Sequence, residues 1–180
     1  MRALDFNLGC SGSVYGLGLA KGLLETGQAG KLLLITAETY SKFIHLADNS
    51  VRTLFGDAAA VTLLSATDAA EERLGSFVFG TDGSGGKNLI VPTGGLRHRV
   101  VAEAPAIEDE NGNRRTIDNL FLNGPEILNF TLRVVRETVT EVLRRSGRAL
   151  EQIDLLVFHQ ANRYLLESLR KKFKVPAEKS

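Results

Sequence analysis

Two stretches set the first limit on the fold. Lys31–Glu38, with Leu32-Leu33-Leu34-Ile35 at its centre, and Ala58–Ser65 are continuous apolar runs of strand length. A strand that is apolar on both faces has to be covered on both, which points to a sheet enclosed by helices. A helix-like stretch rich in Gly, Ala and Leu, Val14–Thr26, precedes the first run and is closed by Gly27. In front of it, Ala3–Leu8 alternates Leu4, Phe6 and Leu8 with Asp5 and Asn7, as a half-covered strand does. Strand, helix and strand in that order predict a right-handed βαβ unit and an at least partly parallel sheet. Leu74–Gly80 is expected to be a neighbouring strand.

The middle of the chain is rich in turns. Gly80–Gly95 contains six glycines, and Asn111-Gly112 signals a tight turn between short strands. A second helical region opens at Asn123-Gly124-Pro125-Glu126, a capping-box spacing with proline in the first turn. Ile127, Phe130, Val134, Val135, Val139 and Val142 then recur at helical spacing up to Gly147, so their stripe is expected to be core. Leu155–Phe158 reads as a short buried strand, and Asn162 to about Lys174 as a last helix. The chain divides on this reading into 1–95, a connection over 96–119, and 120–180. A sheet that begins at Ala3 and a chain that stops at Pro176–Ser180 suggest part of a larger fold.

Composition narrows the functional classes. A length of 180 residues allows a substantial core, roughly 70% of the unfolded surface. A formal net charge of +1 gives no general attraction to nucleic acid or to an anionic membrane. No apolar run approaches the roughly 20 residues that cross a bilayer, and Met1–Asp5 lacks the apolar core of a secretory leader. A single cysteine excludes an intrachain disulfide and a cysteine-rich metal site, and it points to a reducing cytoplasm.

That cysteine, Cys10, lies in Asn7-Leu8-Gly9-Cys10-Ser11-Gly12, between the first strand-like and helix-like stretches. A thiol at such a corner is aimed out of the sheet edge, and the N-terminal end of the helix favours its thiolate. His159, in Phe158-His159-Gln160-Ala161-Asn162, occupies the corresponding place after Leu155–Phe158. A nucleophile and its partner are therefore expected to meet on one face. A lone cysteine is more often a buried small hydrophobe and a histidine here could simply cap a helix, but the paired setting favours chemistry for both.

These motifs carry a resemblance. Asn7-Leu8-Gly9-Cys10-Ser11-Gly12, Phe55-Gly56-Asp57-Ala58-Ala59-Ala60 and His159-Gln160-Ala161-Asn162 resemble, in order and spacing, β-ketoacyl-acyl-carrier-protein synthase III. The histidine follows the cysteine by 149 residues (159 − 10). The resemblance implies an α/β, thiolase-like layered αβα fold with a mixed sheet, represented by the second part of one half and the first part of the other. It implies that Cys10 is acylated by an acyl-CoA, and that malonyl-acyl carrier protein then loses carbon dioxide and attacks the acyl-enzyme. His159 would hydrogen-bond the malonyl thioester oxygen, and the Cys10 N–H would form part of an oxyanion hole. The implied partners are acyl carrier protein, acyl-CoA and a second copy in a homodimer, with no cofactor and no metal. Docking of the acidic carrier would fall on Arg163, Arg170, Lys171 and Lys172; the family's usual arginine one position beyond Arg163 is Tyr164 here. The family's catalytic asparagine, in a Gly-Asn-Thr segment after the histidine motif, has no match in this sequence.

Other local signals are weaker. Gly83-Ser84-Gly85-Gly86-Lys87 fails as a phosphate loop because Thr81 stands where its first glycine is needed. Asp109–Asn113 fails as a calcium loop at Arg114. Asp57 is expected to tie down backbone N–H groups in a turn, Arg144-Arg145 to offset a helix dipole, and His45 and His98 to be ordinary surface residues. Asn129-Phe130-Thr131 matches a glycosylation sequon by chance. The competing functional readings are a same-fold acyltransferase of secondary metabolism with another acceptor, and a catalytically inert chain.

Overall fold

The computed structural model describes residues 3–68, 73–101 and 103–180. Met1 and Arg2 of the N-terminal reading, and Ala102 of the 96–119 connection, lie outside the described residues.

Helix α1 (Gly12–Glu25) is the element around which the first part is arranged. Strand β1 (Lys31–Thr39) follows it and pairs antiparallel with β2 (Asp57–Ser65), in the register Leu32↔Leu64, Leu34↔Thr62 and Glu38↔Ala58. Alternation then decides which side chains meet α1. Leu32, Leu34 and Thr36 are half-buried, and Leu34 packs at Gly16 of the helix. Leu33, Ile35, Val61 and Leu63 point the other way and are each 60–65% exposed. The expected covering of both faces is therefore found on one face only, because no second layer lies over the other among the described residues.

The opposite side of α1 is covered by residues 74–80. Tyr15 and Phe79 lie with ring centroids 4.4 Å apart, and Phe77 follows Phe79 at 5.7 Å. The Tyr15 hydroxyl donates to the Gly80 carbonyl, and Lys21 Nζ donates to the carbonyls of Leu74 and Gly75. This explains why the strand expected at Leu74–Gly80 does not form: its carbonyls and aromatic rings are engaged by a helix rather than by a strand ladder. Residues 3–8 and 155–158 are likewise not in a ladder. Extended backbone becomes a strand only beside another extended segment, and no strand pairs with either among the described residues. The expected parallel βαβ unit is thus replaced by an antiparallel pair.

Helix α2 (Asn49–Arg52) is capped by the buried Asp48, which also receives Arg115 Nη1 at 3.1 Å. Arg115 belongs to a hairpin of β4 (Ile107–Glu108) and β5 (Arg114–Arg115), turned at Gly112 with φ of 76°. Asp109 closes that turn by accepting from the N–H groups of Asn111 and Asn113, which is why it mimics a calcium loop without being one. Strands β3 (Leu89–Ile90) and β6 (Phe121–Leu122) pair and lead into α3 (Gly124–Ser146). Asn123 caps α3, and Gly147 ends it in the left-handed region at φ of 63°, as its sequence requires. The apolar stripe of α3 is half-buried rather than fully enclosed. Arg133 reaches Asp82 at 2.6 Å and Arg145 donates to the Phe77 carbonyl, so residues 77–82 are held between α1 and α3.

Helix α4 (Arg163–Phe173) is capped by Asn162 and closed at Lys174 with φ of 54°. Leu165 and Leu169 are buried on its inner face, and Val175, just past its end, is buried too. The accessible surface is 13430 Å², against roughly 8,500 Å² for a compact monomer of this mass.

Two glycines of α1 distinguish contact from propensity. A Cβ at Gly16 would stand 2.6 Å from Leu34 Cδ1 and 3.2 Å from Phe6 Cζ, whereas nothing lies within 4 Å of one at Gly22. Gly22→Ala is expected to stabilise the protein by up to about 1 kcal/mol, and Gly16→Val to destabilise it by about 1–3 kcal/mol, in urea unfolding.

Candidate functional site

Cys10 lies two residues before α1, where the chain turns through a hydrogen bond from Gly12 N–H to the Gly9 carbonyl at 2.9 Å. Its side chain is exposed. His159 ends the extended segment 153–158, which is held from several sides. Leu156 N–H donates to the Lys179 carbonyl at 2.8 Å, Lys179 Nζ donates to the Ile153 carbonyl at 2.9 Å, and Phe158 stacks on Phe173 of α4 at 5.8 Å. Asn162 Oδ1 then accepts from Leu165 N–H at 2.8 Å. The asparagine of the His-Gln-Ala-Asn motif is therefore a helix cap, and it fixes where α4 starts relative to the imidazole.

The two ends meet: the Cys10 thiol and the His159 imidazole each act on the other's ionisation. The imidazole is the largest influence holding the Cys10 thiol below its ordinary value, opposed by desolvation and aided by the imidazolium charge. The Cys10 N–H adds a smaller push downwards, and the Glu38 carboxylate pushes upwards. The thiol is in turn the main cause raising His159, against desolvation. The pair therefore tilts towards thiolate and imidazolium. The sequence reading gave that role to the end of α1; the structure gives it first to the imidazole.

Two side chains that the sequence did not single out also approach the thiol. Glu38 and Tyr40 lie at and just beyond the C-terminal end of β1, and the charge of Cys10 acts on Tyr40. The usable signal was positional, since sites gather beyond the carboxyl ends of strands. The basic residues of α4 divide into two kinds. Arg163 and Lys171 project from exposed positions, whereas Arg170 holds Glu167 at 2.9 Å and the Val175 carbonyl at 3.2 Å. Lys172 Nζ donates to the Leu132 carbonyl, joining α4 to α3. Among the described residues no group of three His, Cys, Asp or Glu is placed to hold a metal ion, and no helix is long and apolar enough to cross a membrane.

With this geometry, comparison with known proteins is decisive. The family described as 3-oxoacyl-[acyl-carrier-protein] synthase III matches residues 4–83. A β-ketoacyl-[acyl-carrier-protein] synthase III of Caldanaerobacter subterraneus subsp. tengcongensis is 37% identical over 177 residues, covering 98% of this chain and 51% of that protein. A crystal structure of a 3-oxoacyl-(acyl-carrier-protein) synthase III superposes with a TM-score of 0.95 at 52% identity, over 98% of this chain and 53% of the other. Over nearly its whole length the chain is similar to synthases of this type. A 3-oxoacyl-(acyl-carrier protein) synthase from Burkholderia xenovorans agrees, with a TM-score of 0.83, 40% identity and coverage of 98% and 49%. The fold is accordingly the thiolase-like α/β fold of these synthases, and the chain spans about half the length of the relatives it matches.

The thiol–imidazole pair has a measurable signature. Alkylation of Cys10 by iodoacetamide should rise with pH through a midpoint below that of a free thiol, about 8.5. His159→Ala should move this midpoint upwards, because the principal influence lowering it is removed. Mass-resolved alkylation rates across pH check both.

Proposed function

We propose that the chain carries the acyl-transfer half-site of a synthase III condensing enzyme, with Cys10 as nucleophile and His159 as its catalytic partner. The observation that supports this reading is the juxtaposition of a thiol and an imidazole 149 residues apart in the sequence, each the main influence on the other's ionisation. In the first step the Cys10 thiolate attacks the carbonyl carbon of an acyl-CoA. A bond from Cys10 sulfur to carbon forms, the bond to the coenzyme's sulfur breaks, and coenzyme A leaves as its thiol with the proton from His159. The Cys10 N–H faces the developing oxyanion.

Acylation then changes the histidine. The thiolate that raised it is gone, so the imidazole is neutral and free to donate to the malonyl thioester oxygen. Malonyl-acyl carrier protein loses carbon dioxide, and its electron pair passes to an enolate held at that donor. The enolate carbon attacks the acyl carbon, and Cys10 leaves as the thiolate. The products are carbon dioxide, a 3-oxoacyl-carrier protein and, once a proton from solvent restores the imidazolium, the free enzyme. No cofactor takes part in this sequence, and the pantetheine thioesters are its substrates.

The proposed carrier contact falls on Arg163 and Lys171, with Arg170 and Lys172 serving mainly to hold α4 in place. A homodimer working in the cytoplasm, in fatty-acid or related biosynthesis, completes the reading. Incubation with acetyl-CoA should add one acetyl group to Cys10 in the intact mass, and Cys10→Ser should remove that adduct. Labelled malonyl-acyl carrier protein should then release labelled carbon dioxide. An acyl adduct without carbon dioxide would point instead to a same-fold acyltransferase with another acceptor. Arg163→Glu with Lys171→Glu should slow carrier association at least several-fold and flatten its salt dependence, as judged by stopped-flow binding.

A further inference from the structure

The Tyr40 hydroxyl is a polar group beside the nucleophile that the reaction above does not use. The chain leaves β1 at Thr39 and passes directly into a single 3-10 turn, Tyr40–Phe43. Asp57, the first residue of β2, fixes that turn by accepting from Ser41 N–H at 2.8 Å and from Ser41 Oγ at 2.6 Å. Phe55 lies flat against the Tyr40 ring, with centroids 5.0 Å apart and planes inclined by 17°. The Phe55-Gly56-Asp57 motif thus holds Tyr40 from two sides. The phenol oxygen stands 3.8 Å from the position a Cβ would take on Gly9, the residue before the thiol. Among the described residues no hydrogen-bond partner meets this hydroxyl, although the ring is half-buried.

The phenol is positioned to serve as a donor. The charged groups facing it are Cys10, from the turn before α1, and Glu38, from the end of β1. Burial first, and then both of these charges, raise the phenol above its ordinary value, so it retains its proton. An oxygen on the third carbon of a bound acyl chain lies roughly 3–5 Å from the sulfur, and an O–H···O bond adds about 2.7 Å. The hydroxyl beside Gly9, the residue adjoining the thiol, is the donor offered to such an oxygen.

We propose that Tyr40 is a specificity-determining residue whose hydroxyl donates to an oxygen on the third carbon of the acyl group carried by Cys10. The favoured primers are then short acyl thioesters oxygenated at that carbon, over plain alkanoyl ones of equal length. This assignment rests on the acylation of Cys10 proposed above and adds the acyl class that the site prefers.

The test compares butyryl-CoA with 3-hydroxybutyryl-CoA, following the Cys10 adduct by intact mass in the wild-type chain and in Tyr40→Phe. The wild type should favour the hydroxylated acyl group, and Tyr40→Phe should reduce the ratio of the two rates about tenfold. Phe55→Leu, which removes the stacking but keeps the hydroxyl, should reduce the ratio in the same direction and serves if Tyr40→Phe loses its fold by circular dichroism. An unchanged ratio in the folded variants overturns the Tyr40 assignment alone. A wild type that iodoacetamide alkylates but neither thioester acylates overturns the condensing reading, and the Tyr40 assignment with it.

Discussion

The pairing of the Cys10 thiol with the His159 imidazole is the constraint to which the rest of the structure answers. It requires the turn before α1 and the end of the extended segment 153–158 to be placed side by side. The fold meets that demand with separate anchors. Gly16 lets α1 close onto Leu34, Asn162 sets the first turn of α4, and the Phe158–Phe173 stack ties the histidine's segment to that helix.

The layer arrangement follows from small residues in α1. Gly16 and Ala20 are buried, with Gly16 facing β1, and Gly18 accepts the ring of Phe79 from the other side, where a Cβ would come within 2.5 Å. A helix with bulkier residues at these positions could not be approached so closely from two directions. Residues 77–82 then connect this helix to α3 through Arg133 and Arg145, so the cysteine-bearing part and the histidine-bearing part share a mechanical link. Lys172 supplies a comparable link between α3 and α4.

Local chemistry was the most legible part of the sequence. Asn123 and Gly147 marked both ends of α3, Asn162 marked the start of α4, and Asn111-Gly112 marked the β4–β5 hairpin. The Cys10 and His159 motifs were legible as a pair because each follows an extended stretch and precedes a helix. Strand pairing was not legible. Ala3–Leu8, Leu74–Gly80 and Leu155–Phe158 have strand-like patterns, yet a ladder depends on a neighbour that no local pattern specifies. In 74–80 the decisive competitor was α1, which engages the carbonyls through Lys21 and the rings through Tyr15. Tyr40 was missed for a related reason: its relevance comes from the Ser41–Asp57 clamp and the Phe55 ring, 15 residues further along the chain.

The pairing of β1 with β2 alone carries a consequence for the thiol. An isolated two-stranded ribbon is barely stable in water, so this one depends for its persistence on the helix against which it lies. The dependence runs in both directions, because Leu34 is at once a rung of the ribbon and a seat for α1 at Gly16. Damage to the distant rungs around Leu64 would therefore propagate as a loosened helix start. It would be felt as a change in the thiol's surroundings before it was seen as an unfolded protein.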